Sequence, residues 1–248
     1  MTDRPDILAP NEIHVWPIEL NGASYAIRSL EEHLCDDEVS RANRYHRPGD
    51  RRHYLVAHGV LRELLAGYTG KEPGEITFAQ TGVGKPFLSM GRSALPIRFS
   101  LAHSGDYAVV AITLSAEIGI DIEKIDPSLR VEGLVERFFS PDEIIELRTI
   151  PPAERNSAFF SAWVRKEAYI KARGEGIINR LHQFTVAMSL EGMPLLLSDS
   201  LDPSACLLWR VHDLNIAAGY ACALATKPEG KQINVFHDWK QHRRALSV

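Results

Sequence analysis

Asp121 and Glu123 stand two residues apart in the apolar run GIDIEKID, residues 119–126. On a strand, successive side chains point to opposite faces. Gly119, Asp121 and Glu123 then share one side, and Ile118, Ile120 and Ile122 share the other. The two carboxylates lie roughly 7 Å apart in that geometry. They repel unless a cation or solvent lies between them. For this segment alone, a solvated acidic strand face is the plainer reading. A third acid comes from WVRKEAYIKARGEG, residues 163–176, where Trp163, Glu167 and Lys171 recur at helical spacing and Lys166 flanks their face. Alone, Glu167 before Lys171 is an ordinary surface ion pair. Taken together, Asp121, Glu123 and Glu167 offer three hard oxygen ligands of the kind Mg²⁺ takes beside waters and substrate phosphates. Arg52, Lys85, His103, Lys166 and Lys171 could supply cations and donors to a polyphosphate. Such a set suits phosphoryl-type transfer, where catalysis is mostly positioning and charge stabilisation.

A basic stretch adds to the phosphate reading. RANRYHRPGDRRHYLVAHGVLR carries Arg41, Arg44, Arg47, Arg51, Arg52 and Arg62 against the single acid Asp50, with His46, His53 and His58 among them. Its default reading is a solvated helix face; its sharper one is a phosphate site, since guanidinium matches phosphate oxygens in bidentate geometry. Other chemistries find no motif. TGVGKP lacks the spacing and the Ser/Thr of a P-loop, and neither HExxH nor GxSxG occurs. His103 and Ser104 are neighbours at a strand end, which is poor geometry for a nucleophile and its base. In RFFSPDEIIEL, Ser140 is a natural N-cap, Pro141 suits the first helical position and Glu143 completes a capping box, so Glu143 has a structural task.

The elements that must position these groups show an internal echo. ITFAQTGVGKPFL (76–88) aligns without gaps on FTVAMSLEGMPLL (184–196), each an alternating strand, a Gly-containing turn and a short second strand. An alternating strand follows each copy, IRFSLAHSGDYAVVAI and LLWRVHDLNIAAGYACALA. A helical segment precedes each, RRHYLVAHGVLRELLAGY and NSAFFSAWVRKEAYIKA. The expectation is an α+β fold of two similar halves, 1–116 and 117–248, related by a pseudo-two-fold, with the site in the crevice between them. Lys85 is matched by Met193, so only one copy carries that cation. The chain of 248 residues has a hydrophobic fraction of 45%, ordinary for a soluble protein, and a net charge of −4, which predicts neither nucleic-acid nor polybasic membrane binding. Three scattered cysteines suit a reducing cytoplasm, and the N-terminal stretch lacks a secretory-signal pattern.

The order GKP (84–86), SLAHSG (100–105), GIDIE (119–123), FFSPDE (138–143) and WVRKEAYIKARGEG (163–176) resembles the 4′-phosphopantetheinyl transferases of the long, monomeric, surfactin-synthetase-activating type. The likeness spans roughly residues 41–225. It implies transfer of the phosphopantetheine arm of coenzyme A to a serine of an apo acyl or peptidyl carrier protein, with release of adenosine 3′,5′-bisphosphate. It implies Asp121, Glu123 and Glu167 as Mg²⁺ ligands, with Glu167 or a water it holds taking the serine proton. Lys171 and Lys166 would steady the pyrophosphate. Arg52, His53, Lys85, Pro86, His103 and Arg44 would contact coenzyme A. Where relatives carry a hydroxyl before the histidine, this chain has Ala102. A rival reading of another class is a non-catalytic coenzyme A-binding protein.

Overall fold

The computed structural model describes residues 8–22, 25–82, 84–89, 96–174, 178–189, 195–227 and 230–240. The chain is a mixed α+β protein built on two sheets. The first has the order β11-β1-β5-β4, from β1 (Glu12–Glu19), β4 (Ile97–Ser104), β5 (Tyr107–Leu114) and β11 (Gln232–Val235). The second has the order β6-β10-β9, from β6 (Glu117–Lys124), β9 (Arg210–Asp213) and β10 (Tyr220–Lys227). Two small hairpins, β2 (Phe78–Gln80) with β3 (Pro86–Leu88) and β7 (Phe184–Val186) with β8 (Leu196–Asp199), stand apart from them. Among the described residues no helix is long and apolar enough to cross a membrane.

Strand alternation sorts the core into layers. Trp16 and Ile18 of β1 pack with Val60, Leu61 and Leu64 of helix α3 (Pro48–Thr69), while Ile13 and Val15 join Ile118, Ile120 and Ile122 of β6 in a layer between the sheets. Helix α6 (Arg155–Arg173) covers the outer face of the second sheet, its Ala168 and Ala172 packing with Ala221, Ala223 and Ala225 of β10. The long alternating runs around residues 97–112 and 207–225, expected as one strand each, are instead hairpins, β4–β5 and β9–β10. Gly105 supplies the reversal in the first, with φ +53°, and Gly219, at φ +79°, precedes β10 in the second. Strand β11, counted with the second half from sequence, pairs in parallel with β1, and Phe236 stacks on Trp16 at 4.9 Å. Gly192, Met193 and Pro194 of the echo lie outside the described residues.

One set of contacts occurs twice. Helix α2 (Asp36–Ala42) begins with a capping box in which Cys35 N–H donates to Glu38, and helix α5 (Pro141–Thr149) begins with one in which Ser140 N–H donates to Glu143. Glu38 pairs with Arg62 of α3, and Glu143 with Lys166 of α6. Arg62 donates to the Ile76 carbonyl, and Lys166 to that of Phe184, both at 2.7 Å. Each helix then ends at a left-handed glycine, Gly70 or Gly174. On the strands, Thr113 donates to the Glu12 carbonyl and Thr226 to that of Glu117.

Candidate active site

A cleft of about 770 Å³ is bounded by residues of α2, α3, the β2–β3 hairpin, β4 and α6. Of the residues expected to bind metal or coenzyme A or to act in the chemistry, Lys85, Pro86, His103, Glu167 and Lys171 line it. Asp121 lies beneath them, 5% exposed, and accepts a hydrogen bond from Lys171 Nζ at 2.5 Å through Oδ1. Glu123 is half-buried and accepts from the Ser104 hydroxyl at 2.6 Å. The proximity of Asp121 to α6 depends on Gly119. A Cβ there would lie 2.2 Å from the Ala168 carbonyl and 2.3 Å from the Ala172 amide, so only glycine lets strand and helix meet backbone to backbone.

Charge is concentrated where solvent is scarce. Burial pushes the Asp121 carboxyl up to about 7 despite Lys171, and the nearby Glu167 and Glu123 push the same way. The Glu167 carboxyl is raised by burial, drawn down by Lys171 and raised again by Glu123. Asp121 Oδ2 is buried and has no hydrogen-bond partner. A buried, unpartnered carboxylate oxygen on a residue that feels the charge of two other acids fits a hard cation. Among the described residues no three such side chains stand together as a ready-made metal cage, so any ion here would complete its shell with water and substrate oxygens. His103 opens onto the cleft. Loss of solvent around it, and then His58, Lys171, His53 and Arg41, hold its imidazole below the ordinary value. Cations gathered around a neutral imidazole make a favourable field for phosphate.

The remaining expected residues are placed elsewhere. Lys166 does not flank the cleft. Its side chain and that of Glu143 are both 0% exposed, with Nζ 2.6 and 2.8 Å from the two Glu143 oxygens and bonded to the Phe184 carbonyl. Burial holds its ammonium below the ordinary lysine value, and Glu143 opposes that. A lysine so enclosed is a core cation and cannot reach a pyrophosphate in the cleft. Arg52 donates to the Gly22 carbonyl, His53 bonds Asn21, and Arg44 is exposed; none of the three lines the cleft. Lys85 does line it, yet its ammonium donates to the carbonyls of Ile118 and Ala172 at 3.0 and 3.1 Å, tying the GKP turn to β6 and to the end of α6. The basic wall is made instead by Arg41 and His58, with Tyr45 and Tyr54 lining the cleft beside them. Both basic residues belong to the arginine- and histidine-rich stretch, but its charge pattern does not say which members turn inward. Ser104, which the sequence offers only as a poorly placed nucleophile, instead donates to Glu123.

Comparisons with known proteins place the chain in a family. Residues 117–225 match the family described as the 4′-phosphopantetheinyl transferase superfamily, and residues 22–115 match that described as 4′-phosphopantetheinyl transferase, N-terminal. The chain is 37% identical over 216 residues to the 4′-phosphopantetheinyl transferase HetI of Nostoc sp., covering 87% of this chain and 90% of that protein. It is 33% identical over 184 residues to psf-1 of Bacillus pumilus, covering 74% of this chain and 76% of that one. Against Sfp of Bacillus subtilis it is 30% identical over 172 residues, covering 68% and 74%. With residues 22–115 and 117–225 both matched, and relatives of 30–37% identity covering 68–87% of the chain, this chain is an enzyme of the 4′-phosphopantetheinyl transferase superfamily.

Proposed function

We propose that the enzyme moves the phosphopantetheine arm of coenzyme A onto a serine hydroxyl of an apo acyl or peptidyl carrier protein. The observation that carries the reading is Asp121, buried with one unpartnered oxygen under Glu167 and Lys171 at the foot of a cleft whose wall holds His103 and Arg41. In the reaction the serine oxygen bonds to the phosphorus next to the pantetheine, and the bond from that phosphorus to the bridging oxygen breaks. Adenosine 3′,5′-bisphosphate leaves. Asp121, Glu123 and Glu167 are the residues that would hold Mg²⁺, which when bound neutralises charge developing on the pyrophosphate. Glu167, its carboxyl already raised, is suited to accept the serine proton. Lys171 extends from Asp121 into the cleft and meets the leaving phosphate. His103 and Arg41 bind the nucleotide phosphates, and Lys85 and Pro86 form the turn beneath them. Lys166 has no part in the chemistry.

The doubled contact set supports reading the molecule as two α+β halves related by a pseudo-two-fold, with the site in the crevice between them and the join near residue 116. The halves are unequal. Where β6 carries Gly119 and Asp121, the matching positions of β1 are His14 and Trp16, so the first half holds a bulky counterpart in place of a second site. We take the enzyme to act as a monomer in the cytoplasm.

The test is to incubate the enzyme with a fluorescent coenzyme A and apo carrier proteins, with and without Mg²⁺. Labelled carrier that requires Mg²⁺ and disappears with Asp121→Asn is the expected result. Tight coenzyme A binding without any labelled carrier would favour a non-catalytic binding protein instead.

A further inference from the structure

Two serines of β4 reach across to β6 at equal spacing. Ile120 N–H donates to Ser100 Oγ and Lys124 N–H donates to Ser104 Oγ, each at 3.1 Å. These side-chain bonds cross the seam between the two sheets, to which β4 and β6 belong separately. The two stitches differ in one respect. Ser100 Oγ only accepts in this set, whereas Ser104 Oγ also donates, to Glu123 Oε2 at 2.6 Å.

A hydroxyl has one proton. With the Lys124 amide pointing its hydrogen at Ser104 Oγ, the serine proton is turned toward the Glu123 carboxylate, and one carboxylate oxygen is fixed in place. Among the described residues Ser104 is the hydrogen-bond partner of Glu123. Ser104 itself is held rigidly: it is the last residue of β4, paired with Tyr107 across the hairpin. Gly105 follows it, and a Cβ at Gly105 would meet Tyr220 Oη at 2.6 Å and Lys124 Cδ at 2.7 Å. The turn is therefore clamped against β6 and β10.

We propose that Ser104 is a positioning residue. From the first sheet it orients the Glu123 carboxylate of the second, so that the cation-binding acids are aligned only when the two sheets are docked. The inference rests on Glu123 serving as a ligand to the divalent cation. A hydrogen bond of this kind, behind a metal ligand, is worth about 10–100-fold in metal affinity where it has been removed.

The test measures Mn²⁺ binding by the electron paramagnetic resonance of free Mn²⁺, with full-length protein, coenzyme A present and carrier absent, so that no turnover contributes. Ser104→Ala is expected to weaken Mn²⁺ binding about tenfold or more, Ser104→Thr to retain the parent affinity, and Ser100→Ala to leave it unchanged while losing the other stitch. Thermal unfolding of each variant shows that folded protein is being compared. Equal weakening by Ser104→Ala and Ser100→Ala would mean that the serines only hold the seam, overturning the proposal. Parent-like affinity in Ser104→Ala, with loss in Glu123→Gln, would overturn it while leaving the metal reading intact. Parent-like affinity in Glu123→Gln would overturn both.

Discussion

Arg62 and Lys166 hold the same post in two different helices. Each sits eight residues before the left-handed glycine that ends its helix, Gly70 or Gly174, and each bonds a carbonyl at the entrance to a small hairpin. Each is neutralised by the glutamate of a capping box, Glu38 or Glu143. A buried cation with a fixed partner and a fixed carbonyl is a structural joint. The next residue in each helix diverges. Glu63 bonds His33, whereas Glu167 faces the cleft beside Lys171.

Lys166→Met tests that assignment. Removing the ammonium leaves Glu143 buried without its cation, which should cost about 3–5 kcal/mol, read from the urea midpoint. The dissociation constant for coenzyme A, measured on the folded protein, should not move. Parent-like stability with weakened coenzyme A binding would return Lys166 to the pyrophosphate.

Gly119→Ala probes the contact that brings Asp121 to α6. The added methyl would overlap the Ala168 carbonyl and the Ala172 amide, both backbone atoms that cannot turn aside. The helix must lift, at a cost at or above the roughly 1–3 kcal/mol typical of overpacking. Thermal unfolding should fall accordingly, and the Lys171–Asp121 pair should open. A variant with parent stability and parent turnover would show that strand and helix have slack.

A pH dependence follows from His14, which fills in β1 the place that Gly119 holds in β6. It is 1% exposed, with Nδ1 2.7 Å from the Tyr68 hydroxyl and Nε2 3.3 Å from Glu12. Burial holds its imidazole below the unfolded value of 6.5, and Glu12 offsets this only in part. The unfolded chain therefore takes up the proton first on acidification. Stability from His14 is complete above about pH 6.5 and is lost as pH falls through the lower folded value. His103 and His212 are shifted in the same direction, so the comparison must be with His14→Asn. Between pH 7.5 and 5.5 the parent should lose on the order of 1 kcal/mol more than the variant, measured by chemical unfolding at each pH. Parallel curves would remove His14 as the source.

Much of this was legible because it is local. The period of the two long helices, the capping box of Ser140 and Glu143, and the alternation of residues 118–123 depend on neighbours in sequence, and each appears as expected. What escaped depends on distant partners. Lys166 follows an arginine and precedes a glutamate, so it looks like solvated surface; its partner Glu143 lies on another helix. Arg52 and His53 turn to the carbonyl of Gly22 and the side-chain oxygen of Asn21, on the chain leaving β1, instead of the cleft, a choice that charge pattern does not encode. The long alternating runs split into hairpins because Gly105 and Gly219 adopt positive φ, which the alternating pattern around them does not reveal.

The parallel pairing of β11 with β1 sets an order of events during synthesis. Val15, in the middle of β1, finds its partner Val235 only after 220 further residues have been made. Until then the first sheet has β5 on one side of β1 and a bare edge on the other, and bare apolar edges invite pairing with other chains. The edge of β1 is thus covered by a strand far away in sequence, and a nascent chain halted before Gln232 presents an open β1 to its neighbours.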